Sequence, residues 1–318
     1  MGELNRRSFL VGAAGLAGAG TLLAACSDDS GDDAAPTTTA APTDSGTPIT
    51  EGFLVPTAPD GFVGPSVIVA GVEQRIAYVV HDGTAIRRAD APATAEIGIF
   101  RNSVQVGGGV IDRRNTGPEA MPLFEMASYY PVYFTPEDTG LYTARYLDGG
   151  DEVGRDFMVI APGETPVPQP GDLLPAVETA TFDDAKGIVD LCTRAEDCPF
   201  HEIGLADALA AADKPIVLSI ATPGFCQTEV CGPVIEVLME VAADRDDLYT
   251  IHAEVYVDPQ AAVEAGSFPG PTADVVNRYG LPFEPLLFAA NPDGTIVRRL
   301  DATYDRTELQ ETIDLLTA

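Results

Sequence analysis

The sequence predicts two folded domains, an all-β sandwich followed by an α/β domain whose central mixed sheet is flanked by helices. Three observations carry that prediction. Residues 51–161 contain short β-rich runs separated by Gly, Pro and Asp turn signals. Residues 162–178 are rich in proline and read as a linker. From 179 to 318, apolar strand-like runs alternate with segments of helical periodicity. A chain of 318 residues has room for both domains.

Residues 1–25 read as an export signal. Asn5-Arg6-Arg7-Ser8-Phe9-Leu10 resembles a twin-arginine signal, and the apolar run Val11–Ala25 is too short to read as a membrane span. Leu23-Ala24-Ala25-Cys26 resembles a bacterial lipobox, which implies cleavage before Cys26 and lipidation of its thiol. Residues 26–50 then form an acidic, Thr/Ala/Pro-rich stalk without the apolar side chains needed for a core. The expected location is the cell envelope, on the outer face of the cytoplasmic membrane, with the lipid on Cys26 as anchor. A net charge of −31 argues against nucleic acid as a partner.

In residues 51–161 the candidate strands are Ser66–Ala70, Arg75–Val80, Ala95–Phe100, Tyr129–Phe134, Gly140–Tyr146 and Asp156–Ile160. The motif Asp138-Thr139-Gly140-Leu141-Tyr142 resembles the tyrosine corner of immunoglobulin-like sandwiches, in which the Tyr hydroxyl ties a corner to upstream backbone. The resemblance implies an immunoglobulin-like domain, either a spacer or a docking surface. Pro162, Pro166, Pro168, Pro170 and Pro175 make the following segment semi-extended, with movement between the domains expected.

The second domain is organised around Pro215–Val234. Ile216–Ile220 is an apolar, β-rich run suited to a strand buried on both faces. Val234, Val237, Leu238 and Val241 recur at helical spacing. Cys226 and Cys231 lie between them, where the unpaired N–H groups of a helix start stabilise a thiolate. A disulfide needs Cα atoms within ~7 Å, and five residues of helix rise ~7.5 Å. If the two cysteines pair, Cys226 therefore belongs to the loop and Cys231 to the first helical turn. Further elements are a helix carrying Leu205, Ala208, Leu209 and Ala212, a strand at Tyr249–Val257 and a helix at Thr272–Tyr279. A hairpin of Leu286–Ala290 with Thr295–Leu300 and a closing helix at Thr307–Leu316 complete the domain.

Strand, cysteine pair and helix, followed by Gly280-Leu281-Pro282-Phe283-Glu284-Pro285-Leu286-Leu287-Phe288 and Asn291-Pro292-Asp293-Gly294, resemble the thioredoxin fold over roughly residues 180–318. The resemblance implies a cis-proline at Pro285 that lays substrate backbone beside the cysteines, with Phe225 and Glu284 adjacent to substrate. It implies a thiol–disulfide oxidoreductase in which Cys226 is the nucleophile and Cys231 the resolving thiol, acting on client proteins with thiols or disulfides, recharged by a redox partner and needing no cofactor. The sequence departs from the family in its C-x4-C spacing, in Val234 where a second cysteine would complete CGPC, and in Ser219 near the position of the family's buried Asp. Cys231, whose Cys-Gly-Pro matches the family literally, is the alternative nucleophile.

With Cys26 lipidated, four cysteines allow three pairings. The local one joins Cys226 to Cys231 and makes Cys192–Cys198 a structural disulfide. A redox-inert binding or scaffold lipoprotein remains the alternative function. A third reading is copper handling of the Sco type, which shares the fold, but 266–284 lacks the histidine of that group. No spacing of four ligands for zinc is evident, so no metal is expected.

Overall fold

The computed structural model describes residues 52–57, 67–121, 126–150, 154–226 and 230–317. The expected signal peptide, Cys26 and the stalk lie outside the described residues. No helix among the described residues is long and apolar enough to cross a membrane.

Eight strands come first: β1 (Phe53–Pro56), β2 (Ile68–Val69), β3 (Gln74–His81), β4 (Thr94–Arg101), β5 (Val104–Asp112), β6 (Tyr130–Phe134), β7 (Gly140–Tyr146) and β8 (Arg155–Ile160). They form a sheet ordered β1-β3-β6 and another ordered β2-β8-β7-β4-β5. Alternate residues of both sheets bury into one core, Ile76, Tyr78, Val80 and Val132 from the first and Ile97, Ile99, Tyr142 and Phe157 from the second. The Tyr142 hydroxyl donates to the Asp138 carbonyl at 2.8 Å, the bond that the D-x-G-x-Y motif implies. Strands β1 and β5 were not expected. Gly107-Gly108-Gly109 removes the alternation of β5, yet only glycine fits at position 108, where φ is +83° and a Cβ would lie 2.0 Å from the Ile97 carbonyl oxygen. Asn102 and Ser103, both at positive φ, close the β4–β5 hairpin.

The second half runs α1 (Leu205–Ala211), β9 (Ile216–Ile220), α2 (Cys231–Ala242), β10 (Tyr249–Ala253), α3 (Pro259–Glu264), α4 (Asp274–Tyr279), β11 (Leu286–Ala290), β12 (Ile296–Asp301) and α5 (Arg306–Thr317). Its sheet is ordered β10-β9-β11-β12, with β10 parallel to β9 and β11 antiparallel to both its neighbours. This mixed sheet between helices is the topology that the thioredoxin resemblance implied. One face of β9, with Ile216, Leu218 and Ile220, packs with residues of α1 and α4. The other, with Val217, packs against Val234, Val237 and Leu238 of α2 and Leu309 and Ile313 of α5. Strand β10 stops at Ala253 rather than Val257 because its partner β9 ends at Ile220. Helix α3, not expected, starts on Asp258, whose carboxylate accepts from the Ala261 N–H at 2.9 Å, followed by Pro259 in the first turn.

The proline-rich segment does not give the two halves free movement, because its backbone is bonded to the β11–β12 hairpin. Gly171 N–H donates to Ile296 O, Ile296 N–H to Asp172 O and Leu174 N–H to Gly294 O, each at 2.8 Å. A buried ion pair adds to this. Arg75 of β3 donates to both carboxylate oxygens of Glu308 in α5, at 2.7 and 2.8 Å, and to the Asp301 and Thr303 carbonyls. Tyr129 and Tyr133 donate to the same carboxylate. Every strong acceptor and donor here is matched, the condition under which a buried pair holds its geometry. Both halves belong to one compact unit.

Burial opposes ionisation of Glu308, but Arg75 and the two tyrosine hydroxyls hold its carboxyl below the ordinary value of 4.5. A depressed carboxyl stabilises the fold above its ordinary pKa, and that contribution is lost as pH falls through the native pKa. Arg75→Ala strands the carboxylate and should cost about 3–5 kcal/mol near neutral pH. Urea unfolding should show that gap narrowing in acid; a variant as stable as wild type at neutral pH would contradict the role given to the pair.

Candidate functional site

Strand β9 ends at Ile220, and the chain turns through Ala221–Gly224 to Cys226. Cys231 opens α2 and is fully buried, whereas Cys226 is half-buried. The two are disulfide-bonded with Cα atoms 5.9 Å apart, which places Cys226 in the loop and Cys231 in the first turn. The N-cap, Val230, makes no side-chain hydrogen bond to that turn. Burial of Cys231 argues against it as the attacking thiol. Val234, at the position of a second family cysteine, is core.

The Glu284–Pro285 bond is cis, as the resemblance implied. Pro285 immediately precedes Leu286, the partner of Ile220 in the sheet. Thr222 N–H donates to Glu284 Oε2 at 2.6 Å, tying the cis-proline turn to the loop that carries Cys226. Phe225 is half-buried, its ring centroid 6.4 Å from that of Phe268. Ser219 is wholly buried in β9.

Glu284 bears on the chemistry through its charge. Burial pushes its carboxyl up to about 7, against the Thr222 N–H and the Tyr256 hydroxyl, with nearby Glu254 adding to the rise. Burial pushes Glu254 up to about 7 as well. Near neutral pH each is therefore partly protonated, which weakens the repulsion that an ionised carboxylate exerts on a thiolate.

The largest departure from expectation concerns Cys192 and Cys198. They do not form the expected disulfide; both are free, buried thiols. The intervening loop curls so that the Cys198 N–H, 3.5 Å from Cys192 Sγ, faces the first sulfur. His252 on β10 brings Nδ1 to 3.7 Å from Cys192 Sγ and 3.4 Å from Cys198 Sγ. His201 completes a group whose four ligand atoms all lie within 4.8 Å of one another. These residues can hold a metal, and the expectation that no ligand set is spaced for one is corrected here. The signal was Cys192-x5-Cys198-x2-His201; the fourth member comes from β10, which only the fold brings near. As a bare dithiol the two sulfurs share a proton: the hydrogen bond between the thiols holds Cys192 well below the usual thiol range and pushes Cys198 well above it. Arg194, bonded to Glu236 of α2 at 2.7 and 3.0 Å, pins the loop beside the disulfide helix.

No protein-family model matches the sequence, and no curated protein matches it. Among solved structures the chain is similar to one described as "Solution structure of a putative protein disulfide isomerase from Bacteroides thetaiotaomicron". The identity is 13%, the match covers 46% of this chain and 89% of that one, and the TM-score is 0.32.

The raised Glu284 carboxyl has a measurable consequence. A carboxyl raised from 4.5 to about 7 stabilises the fold below its ordinary pKa, and that stability is lost as pH rises through the native value. The effect is at most about 3–4 kcal/mol at about 1.36 kcal/mol per pKa unit. Thermal unfolding followed from pH 4.5 to 7 should show a smaller decline for Glu284→Gln than for wild type. Identical slopes would mean that Glu284 titrates normally.

Proposed function

We propose that the chain is a thiol–disulfide oxidoreductase that exchanges its Cys226–Cys231 disulfide with cysteines of client proteins. The observation that carries this reading is the asymmetry of the pair: a half-buried Cys226 at a strand's end is bonded to a fully buried Cys231 in the first turn of α2. The cis Pro285 beside the end of β9 supports it.

In the reductive direction the Cys226 thiolate attacks a client disulfide, forming a mixed disulfide and expelling one client thiolate. The Cys231 thiolate then attacks the Cys226 sulfur, closes the internal disulfide and expels the second client thiolate. Two electrons pass to the client, and a dithiol redox partner restores the pair. Run backward, the same steps oxidise a client dithiol. Electrons travel in the sulfur atoms, so no cofactor is needed.

The proposal extends to place and architecture. An exported chain, lipidated on Cys26, would work at the outer face of the cytoplasmic membrane. The two-sheet half, with its Tyr142–Asp138 bond, is read as an immunoglobulin-like module that holds the α/β half off the surface. A redox-inert binding module is the second reading, favoured by the carboxyls of Glu284 and Glu254, whose ionised forms disfavour a neighbouring thiolate.

Trapping tests the proposal. Full-length Cys231→Ser, expressed in a host that exports it, should accumulate disulfide-linked adducts through Cys226 that collapse on reduction. The double variant Cys226→Ser/Cys231→Ser should not. Equal, background levels of adduct in both would favour the binding module.

A further inference from the structure

We propose that Cys192, Cys198, His201 and His252 bind one zinc ion in a closed tetrahedral site that fixes the 192–201 segment onto the sheet. This site is separate from the Cys226–Cys231 disulfide and goes beyond the oxidoreductase reading.

Four observations carry it. First, the donor set and its spacing fit. A tetrahedral centre with Zn–S near 2.3 Å and Zn–N near 2.0 Å separates sulfur from nitrogen by about 3.5 Å. The His252 Nδ1 lies 3.7 and 3.4 Å from the two sulfurs, and no pair of ligand atoms in the group exceeds 4.8 Å.

Second, His252 is oriented for ligation. Its Nε2 lies 3.0 Å from the Ala221 carbonyl, which can only accept, so Nε2 carries the proton. That leaves the Nδ1 lone pair facing the thiols, the outer hydrogen bond typical of a metal-bound imidazole. His252 N–H also donates to the Phe200 carbonyl at 3.0 Å, which ties the strand to the residue before His201.

Third, His201 is 1% exposed and neither ring nitrogen makes a well-formed hydrogen bond; the polar group beside it is the Cys192 thiol. A buried imidazole without a well-formed hydrogen bond is unusual in a folded protein. Coordination supplies the missing bond.

Fourth, charge selects the ion. All four side chains are buried, where net charge is costly. Two thiolates and two neutral imidazoles neutralise a divalent cation, whereas a monovalent copper ion leaves one buried negative charge. On binding, zinc displaces the thiol protons of Cys192 and Cys198 to solvent. No position remains open for water or substrate, so the site is structural. Ligation also protects the two thiols from oxidation.

Metal analysis of the purified full chain tests this. About one zinc per chain is expected, retained by Cys226→Ser/Cys231→Ser and lost in Cys192→Ser and His201→Asn. Cobalt(II) titration of metal-stripped wild type keeps the test independent of how those variants fold. It should give the visible bands of a tetrahedral centre and thiolate-to-cobalt charge transfer, saturating at one equivalent, and zinc should then erase them. The proposal is overturned if stripped wild type takes up neither cobalt nor zinc, or if a Cys192–Cys198 disulfide forms in the protein purified with zinc present. Since Cys226 and Cys231 are absent from the double variant, loss of client trapping and loss of metal are read separately.

Discussion

The rest of the α/β half depends on β9, a strand with no exposed face. Each residue from Ile216 to Ala221 is fully buried, and the strand pairs in parallel with β10 on one side and antiparallel with β11 on the other. Both sulfur sites follow from where that strand stops. The Ala221 carbonyl accepts from the His252 imidazole, and the Thr222 N–H donates to Glu284, the residue before the cis-proline. The next residues deliver Cys226 to Cys231 at the start of α2. A strand end is a natural place for this. Its backbone groups have left the ladder and are free to bind side chains, while the core behind them fixes their position.

The two halves are joined on different physical terms. Hydrophobic packing builds most of each half on its own, although Val67 of the first half joins the α/β core, and charge and backbone hydrogen bonds add to the joint. Arg75 reaches from β3 to α5 with its guanidinium matched by a carboxylate and two carbonyls. Such a pair specifies orientation more than it stabilises, since misaligned docking would bury unmatched charge.

Much of this was legible in the sequence. The all-apolar Ile216–Ile220 reads as a buried strand, and the helical spacing from Val234 with the two cysteines ahead of it predicts the disulfide geometry found. What was not legible arises from long-range contact. Proline content predicts an extended linker, but the segment turns at 162–163 and 170–171, and the bonds of Gly171, Asp172 and Leu174 to the hairpin have no local signature. Cys192 and Cys198 read as a local clip because the alternative partner, His252, is 54 residues beyond Cys198 and looks like an ordinary strand residue. Strand β5 was hidden by glycines that the sheet itself requires.

The central claim, that Cys226 and Cys231 are a working redox pair, is tested most directly by their equilibrium with a thiol buffer. The full chain would be poised in glutathione or dithiothreitol mixtures, quenched in acid, alkylated and mapped by peptide mass. The account predicts a two-electron transition of the Cys226–Cys231 disulfide in the native protein at a potential above about −300 mV, where exchange-competent pairs lie. Cys226 should alkylate ahead of the buried Cys231 after partial reduction. A disulfide that stays closed at that potential and below, opening only when the protein unfolds, would contradict it.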